Sequence, residues 1–240
     1  MAGTGIKIAI VHYPYIVAII LFSKNIVTSL NRNYLSPLKT LAMSQRKLIL
    51  AMQITLDGYV AGNNDEADWL ISSDEEWADH FKDIESADTF LLGRKMYPLY
   101  SRYWQGVLNN PDNSKPNELK FAKLADKTQH IVFTKGNFKP DWKNTRVAHD
   151  LVAEVKRLKK INGKNIIAWG GANFAANLID LDLVDEYRLE LNPTLLVKGK
   201  SLFNNLENRK QLTLVDSKAL KGGLIVLRYQ PATVRELVTS

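Results

Sequence analysis

The sequence contains no cysteine among its 240 residues. Disulfides, thiolate metal sites, iron–sulfur clusters and a cysteine nucleophile are therefore excluded. Only four histidines are present, and no two of them have a spacing typical of metal ligands. We therefore expect no histidine-rich metal site. The lack of cysteine fits a reducing compartment, and we expect a cytoplasmic protein.

Several common functional signatures are also absent. No G-x-G-x-x-G follows the first strand-like run, no G-x-x-x-x-G-K-[ST] occurs, and no G-x-S-x-G occurs. These absences argue against the ordinary dinucleotide fingerprint, a P-loop NTPase and the common hydrolase elbow. The net charge of +7 is scattered, without a helix-turn-helix or zinc-finger signature. We expect it to attract a phosphorylated small molecule rather than nucleic acid.

The first forty-odd residues differ in composition from the rest. An apolar run from Ile6 to Phe22 has the length of a short membrane span, but a histidine and a proline interrupt it. Met43 precedes a polar stretch and a strand-like run, as a natural start would. We interpret the first segment as a mis-called start or a disordered leader, with an N-terminal membrane anchor as the alternative. The predicted division is a leader over 1–43, a domain over 44–232 that does not enter the membrane, and a tail over 233–240.

Strand and helix patterns alternate along the predicted domain. Strands are predicted at 47–54, 89–92, 130–134, 145–148, 165–169, 184–191, 212–215 and 224–229. Ser73 is a predicted helix N-cap with Glu76 at the capping-box position, and residues 105–117 are predicted to form a surface loop. The alternation predicts an α/β fold, with a mostly parallel central sheet, flanking helices and an antiparallel C-terminal hairpin.

Three predicted strands end in small or basic residues, each followed by a predicted helix. These segments are Gly93-Arg94-Lys95, Thr134-Lys135-Gly136 and Gly170-Gly171-Ala172. Ligands of open α/β sheets bind beyond the carboxyl ends of the strands, and helix N-termini attract phosphate. Each segment alone is weak, because a glycine after a strand is usually a turn. Together they predict a nucleotide site.

Seven segments occur in an order that belongs to a known family. They are Ile54-Thr-Leu-Asp-Gly-Tyr-Val-Ala61, Leu92-Gly-Arg-Lys-Met-Tyr97, Ile131-Val-Phe-Thr-Lys135, Trp169-Gly-Gly-Ala-Asn-Phe174, Leu183-Val-Asp-Glu-Tyr187, Asn192-Pro193 and Gly199-Lys-Ser-Leu-Phe203. Together they resemble the dihydrofolate reductase fold family, and more closely the reductase domain of the bifunctional riboflavin-pathway deaminase/reductase and its stand-alone relatives. No deaminase signature precedes the domain, so we do not expect the deaminase half.

The resemblance implies NADPH as the cofactor and assigns residues to it. Gly93, Arg94, Lys95 and Met96 are expected to cap a helix against the phosphates. Thr134 and Lys135 are expected to contact the 2′-phosphate, which favours NADPH over NADH. Gly170, Gly171, Ala172 and Asn173 are expected to hold the pyrophosphate and the nicotinamide side.

Two acidic residues are candidates for catalysis. Asp74, five residues after Trp69, matches the family's acidic residue and would bind ring N–H groups or relay a proton. The alternative is that Asp74 only favours the helix dipole. Asp57, with Gly58, would shape a loop over the nicotinamide or form a plain turn. Trp69 would line the substrate pocket or pack in the core, and we favour packing.

The function implied by the resemblance is hydride transfer to a heterocyclic small molecule. The expected type is 5-amino-6-(5-phosphoribosylamino)uracil reductase. The alternatives are a dihydrofolate or pteridine reductase and a non-catalytic NADPH-binding regulatory protein. The family also implies a homodimer, paired through a sheet edge or the terminal hairpin.

Overall fold

The computed structural model describes residues 7–13, 16–22, 46–204 and 206–233. The chain divides into two compact units between residues 45 and 46. In the first unit, strands β1 (Lys7–Tyr13) and β2 (Ile16–Phe22) pair antiparallel. The rest of the predicted leader, and the tail from residue 234, lie outside the described residues. Across the described ranges, none of the helices combines the length and the hydropathy that crossing a membrane requires.

The second unit is built on a sheet of eight strands. Its strands, with two short ones outside the sheet, are β3 (Leu48–Thr55), β4 (Tyr59–Ala61), β5 (Ala87–Gly93), β6 (Gln129–Phe133), β7 (Thr145–Ala148), β8 (Asn165–Ala168), β9 (Glu186–Asn192), β10 (Lys200–Ser201), β11 (Leu212–Ala219) and β12 (Ile225–Pro231). The order across the sheet is β11-β12-β9-β3-β8-β5-β6-β7, and β4 pairs separately with β10. Strands from β9 to β7 are parallel, whereas β12 and β11 are antiparallel. The predicted parallel sheet with an antiparallel C-terminal hairpin is confirmed.

The first strand of this unit, β3, lies at the middle of the sheet between β8 and β9. Both of its faces are apolar, as expected for a strand that is covered on two sides. Ile49 and Ala51 belong to one core cluster, and Leu48 and Leu50 belong to another. The two clusters are the two faces of the sheet.

Five helices cover these faces. They are α1 (Asp74–Glu85), α2 (Tyr97–Asn109), α3 (Pro116–Ala125), α4 (Leu151–Lys160) and α5 (Ala172–Asp180). The helices α1, α2 and α3 supply side chains to the cluster that contains Ile49, and we call this side the first face. The helices α4 and α5 pack on the second face.

Two details of the predicted elements need correction. The residues from 105 to 117 are not a loop, because α2 continues to Asn109 and α3 begins at Pro116. A proline in the first helical turn lacks only an N–H that has no partner there, so it starts this helix rather than breaking it. Ser73 does cap α1 and accepts from the Glu76 N–H at 3.2 Å. The Glu76 side chain does not return to complete a capping box, because it is buried in the core.

Candidate functional site

The parallel strands β8, β5, β6 and β7 end side by side, and their carboxyl ends are joined by backbone hydrogen bonds. The Gly93 N–H donates to the Gly170 carbonyl at 3.1 Å, and the Arg94 N–H donates to the Phe133 carbonyl at 3.1 Å. The Thr134 N–H donates to the Ala148 carbonyl at 3.1 Å. The structure therefore brings the three predicted segments together at one edge, which we call the cradle. The helix predicted after Thr134-Lys135-Gly136 is wrong, because that segment leads into β7.

Two glycines allow the close packing of the cradle. A Cβ atom at Gly93 would lie 2.9 Å from the Cβ of Phe174 on α5. Gly170 has a φ of +91°, and a Cβ atom there would lie 2.8 Å from the Met52 side chain. Only glycine adopts such a φ routinely, so Gly170 requires it for both conformation and space, whereas Gly93 requires it for space alone. The Gly170–Gly171 peptide bond is cis.

Two helices begin at the cradle without a side-chain cap. Met96 precedes α2 and makes no side-chain hydrogen bond to it, and Gly171, which precedes α5, has no side chain. The first N–H groups of a helix have no partner within it, and they are suited to an anion. Arg94 and Lys95 are exposed next to the start of α2. The local chemistry fits a phosphorylated ligand.

A cavity of about 470 Å³ adjoins the cradle segment Thr134-Lys135-Gly136. It is lined by Asn137, Phe138, Lys139, Val147 and His149. The Arg94 guanidinium lies over the Phe138 ring, 4.1 Å from its centroid, and the His149 Nδ1 lies 2.8 Å from the Thr134 carbonyl oxygen. Lys135 of the same segment is exposed. The cavity therefore extends the cradle towards β7, the strand at the edge of the sheet.

Asp57 forms hydrogen bonds between the loop after β3 and the loop after β9. Its carboxylate accepts from the Thr55 hydroxyl at 2.6 Å and from the backbone N–H groups of Leu196 and Val197 at 3.2 and 2.8 Å. The hydrogen bond from Thr55, with those from the backbone, lowers the pKa of Asp57. Gly58 has a φ of +84° in the turn that follows. This geometry accounts for a turn at Asp57, and its catalytic role stays a prediction.

Asp74 and Trp69 are the two residues predicted for the substrate pocket. Asp74 is the first residue of α1, is exposed, and accepts from the Asn117 side-chain amide at 2.8 Å. Trp69 is half-buried, and its Nε1 is buried without a hydrogen-bond partner among the described residues. The roles predicted for both residues remain predictions.

A buried cluster of charges lies between α1 and the sheet. Its members are Glu76, Asp79, His80 and Asp83 of α1, Arg188 and Glu190 of β9, and Arg228 of β12. Arg188 is fully buried and pairs with Asp79 at 3.0 Å, with Asp83 at 2.6 Å and with Glu190. Sequence reasoning did not assign this cluster. Its signal is the helical spacing of the four α1 residues together with the alternation of Arg188 and Glu190 on β9.

The two glutamates of the cluster differ in protonation. Burial raises the pKa of Glu190, but the hydrogen bond from His80 and the charge of Arg188 outweigh it and hold the pKa below its usual value. Burial, followed by repulsion from Glu190, raises the pKa of Glu76 to about 8, although Arg188 opposes the shift. Near neutral pH, Glu76 is therefore protonated while Glu190 is ionised. Environments that push two pKa values apart are characteristic of acid–base sites.

Hydrogen-bond geometry agrees with an ionised Glu190. The His80 Nδ1 lies 3.0 Å from the Glu190 Oε1, 3.2 Å from the Arg188 Nη1 and 3.7 Å from the Glu76 Oε1. An ionised carboxylate only accepts, so the hydrogen bond to Glu190 requires a proton on Nδ1. The Arg188 Nη1, which only donates, is then a neighbour of Nδ1 and not its hydrogen-bond donor. The ligand atoms of Glu76, His80 and Glu190 lie within 4.8 Å of one another, a spacing that a metal ion can bridge. Arg188 already supplies positive charge at that point, and this favours acid–base chemistry over metal binding.

One aromatic residue connects the buried cluster to the cradle. The His80 ring is stacked on the Trp169 ring, with 5.1 Å between their centroids. Trp169 directly precedes Gly170 in the chain. The acid–base groups on the first face therefore lie beside the cradle at the carboxyl end of β8.

Comparison with known proteins identifies related chains. Residues 46–226 match the family model of the RibD C-terminal domain. The uncharacterized protein YyaP of Bacillus subtilis (strain 168) is 33% identical over 188 residues, which are 78% of this chain and 96% of that protein.

Solved structures give the same picture of the fold. A protein from Shewanella sp. PV-4, described as a candidate riboflavin biosynthesis protein, has a TM-score of 0.62 at 19% identity and covers 78% of this chain and 99% of its own. Dihydrofolate reductase from Enterococcus faecalis has a TM-score of 0.52 at 14% identity, with 79% and 98% covered. Both likenesses confirm the predicted dihydrofolate reductase-like fold.

Proposed function

This chain belongs to the RibD C-terminal domain family, a family of the riboflavin-pathway reductase type, and we propose that it is an NADPH-dependent reductase of a flat nitrogen heterocycle. The proposed type is 5-amino-6-(5-phosphoribosylamino)uracil reductase. The observation that carries the proposal is the cradle, in which Gly93, Thr134 and Gly170 meet at one edge of the sheet. Beside it lies a protonated carboxyl group, Glu76, buried on the first face.

The residues at the cradle fit a dinucleotide phosphate. The two helix starts, with Arg94 and Lys95 next to one of them, suit the pyrophosphate. Lys135 is exposed and stands two residues before Asn137 of the cavity lining, so it suits the additional phosphate that distinguishes NADPH from NADH. Gly171 has only one side-chain atom within 4 Å of an added Cβ, at 3.9 Å, which leaves its backbone approachable.

When bound, NADPH supplies a hydride, and the protein must deliver a proton to the reduced ring. Glu76 is the group we propose for that proton, because its carboxyl is protonated near neutral pH. His80 lies 3.7 Å from Glu76 and stacks on Trp169, which keeps both groups beside the cradle. Arg188 holds α1 against β9 and so fixes the distance between Glu76 and the sheet.

The experiment is a titration of the full chain with NADPH and with NADH. Energy transfer from the tryptophans to the nicotinamide reports binding. We expect NADPH to bind at least ten-fold more tightly. Lys135→Ala should reduce that preference by roughly ten-fold, about 1.4 kcal/mol, because a charge-assisted contact to phosphate is lost.

Lys127→Ala is the matched control. Lys127 is exposed just before the amino end of β6, whereas Lys135 follows its carboxyl end. The control should leave both affinities unchanged within two-fold. The proposed function is wrong if neither nucleotide binds, and the role of Lys135 is wrong if both variants behave alike.

A further inference from the structure

Glu190 has a buried oxygen that no described residue uses. Its side chain is fully buried, and its Oε1 accepts hydrogen bonds from His80 and Arg188. Its Oε2 has no hydrogen-bond partner among the described residues. An unsatisfied buried acceptor is unfavourable by about 1–3 kcal/mol, and by more when it is charged. A donor from a ligand would remove that penalty.

Gln53 presents a second acceptor next to the first. It is the register partner of Glu190 in the parallel β3–β9 pair. Side chains alternate along β3, and Gln53 follows Ile49 and Ala51 on the first face of the sheet. Its Oε1 is also buried without a partner among the described residues. The two oxygens therefore form an acceptor pair on one face.

The acceptor pair lies among residues that differ in burial. Glu76 and Glu190 are buried, whereas Gln53, His80 and Trp169 are half-buried. Gln53 follows Met52, whose side chain packs on Gly170 of the cradle. A planar ligand that enters past the half-buried residues would meet two acceptors next to the cofactor cradle.

We propose that Gln53 and Glu190 are specificity-determining residues that select a planar ligand with two neighbouring N–H donors on one edge, as in an amidine or an aminopyrimidine. The proposal rests on the proposed function, because it assumes that the ring binds beside the cradle. The charge of Glu190 favours an edge that carries positive charge. Glu76, which is protonated, would offer such a ligand one further donor and one further acceptor.

The probes are 2,4-diaminopyrimidine and 2,4-dimethylpyrimidine, which share a ring and differ in their donors. Isothermal titration calorimetry of the full chain, with and without saturating NADPH, gives both affinities. We expect the diamino probe to bind at least ten-fold more tightly. Glu190→Gln and Gln53→Leu should each weaken it by three-fold or more, while NADPH affinity stays within two-fold.

Glu186→Gln is the matched control. Glu186 stands on the same strand but at its amino end, where it pairs with Arg228 at 3.2 Å. Its loss should leave the affinity for both probes within two-fold. If Glu190→Gln does not fold by circular dichroism, Gln53→Leu decides, because Gln53 lies outside the Arg188 ion pairs.

Two results would overturn the inference. One is equal affinity for the two probes, or no measurable binding of either. The other is unchanged preference in the variants that fold. If NADPH binds normally and either result is obtained, only the role of the acceptor pair is refuted. If NADPH does not bind but the diamino probe is still preferred over the dimethyl probe, the proposed function is refuted instead.

Discussion

Replacing Glu76 by glutamine should stabilise the protein, and increasingly so as the pH rises. The pKa of Glu76 is about 8 in the folded chain against an ordinary value of 4.5. Above pH 4.5 the unfolded chain loses this proton, while the folded chain keeps it until about pH 8. The folded state therefore binds more protons in that window, and its stability falls with rising pH. Glutamine is neutral in both states and removes this dependence.

The size of the effect follows from the two pKa values. Each unit of difference corresponds to about 1.36 kcal/mol. Stability contributed by Glu76 should fall by about 2.5 kcal/mol between pH 6 and pH 8.5, and should change little at higher pH because the group is then ionised in both states. Subtracting the variant from the wild type cancels the titrating groups that do not interact with Glu76.

The assay is urea unfolding of the wild type and Glu76→Gln at pH 6 and pH 8.5. The advantage of the variant should grow by about 2.5 kcal/mol between the two conditions. Glu75→Gln is the control, because Glu75 lies outside the buried cluster and its carboxylate accepts from the Lys221 N–H at 3.0 Å. An advantage that is constant or that shrinks with pH would refute the reasoning, and with it the protonated Glu76 on which the proposed proton transfer depends.

Two further predictions concern the cradle and the edge of the sheet. Gly170→Ala should destabilise the protein by about 2–4 kcal/mol and weaken NADPH binding, since the added Cβ would lie 2.8 Å from Met52 at a positive φ. Gly136→Ala, where an added Cβ meets nothing within 4 Å, should change stability by under about 0.5 kcal/mol in the same urea assay. Light scattering should give a homodimer of twice the 27.2 kDa chain mass, and a species of 27.2 kDa alone would contradict it. Leu214→Lys on the edge strand β11, where Leu214 is 51% exposed, should shift the protein to monomer, whereas Leu99→Lys on α2 should not.

The cradle could be predicted from the sequence because its signals are local. Gly93, Thr134 and Gly170 each stand at the end of an apolar run, and parallel strands bring such ends to one edge. The predicted strands deviate from the observed ones by a few residues, as at β9, which starts at Glu186 rather than at residue 184. The helix α3 was missed because its proline was interpreted as part of a loop.

The buried charge cluster could not be predicted in the same way. Successive residues of a helix are turned by about 100°, so Asp74 and Glu76 point to opposite sides of α1. Which side is buried depends on how α1 packs on β9, more than a hundred residues later in the chain. A carboxylate at a helix start ordinarily stays exposed and interacts with the helix dipole. Glu76 is buried because Arg188 and Glu190 of β9 pack against this side of α1.

The order of the strands also affects folding during synthesis on the ribosome. The first strand of the sheet, β3, pairs with β8 and β9, which begin at Asn165 and Glu186. Its neighbours are therefore synthesised last among the parallel strands, more than a hundred residues after it. During that interval Leu48-Ile-Leu-Ala-Met has no partner on either edge, and an unpaired apolar strand favours aggregation. A nascent chain stopped before β9 would lack both the neighbour of β3 and Arg188, so we expect such chains to need chaperones and to fold only once β9 leaves the exit tunnel.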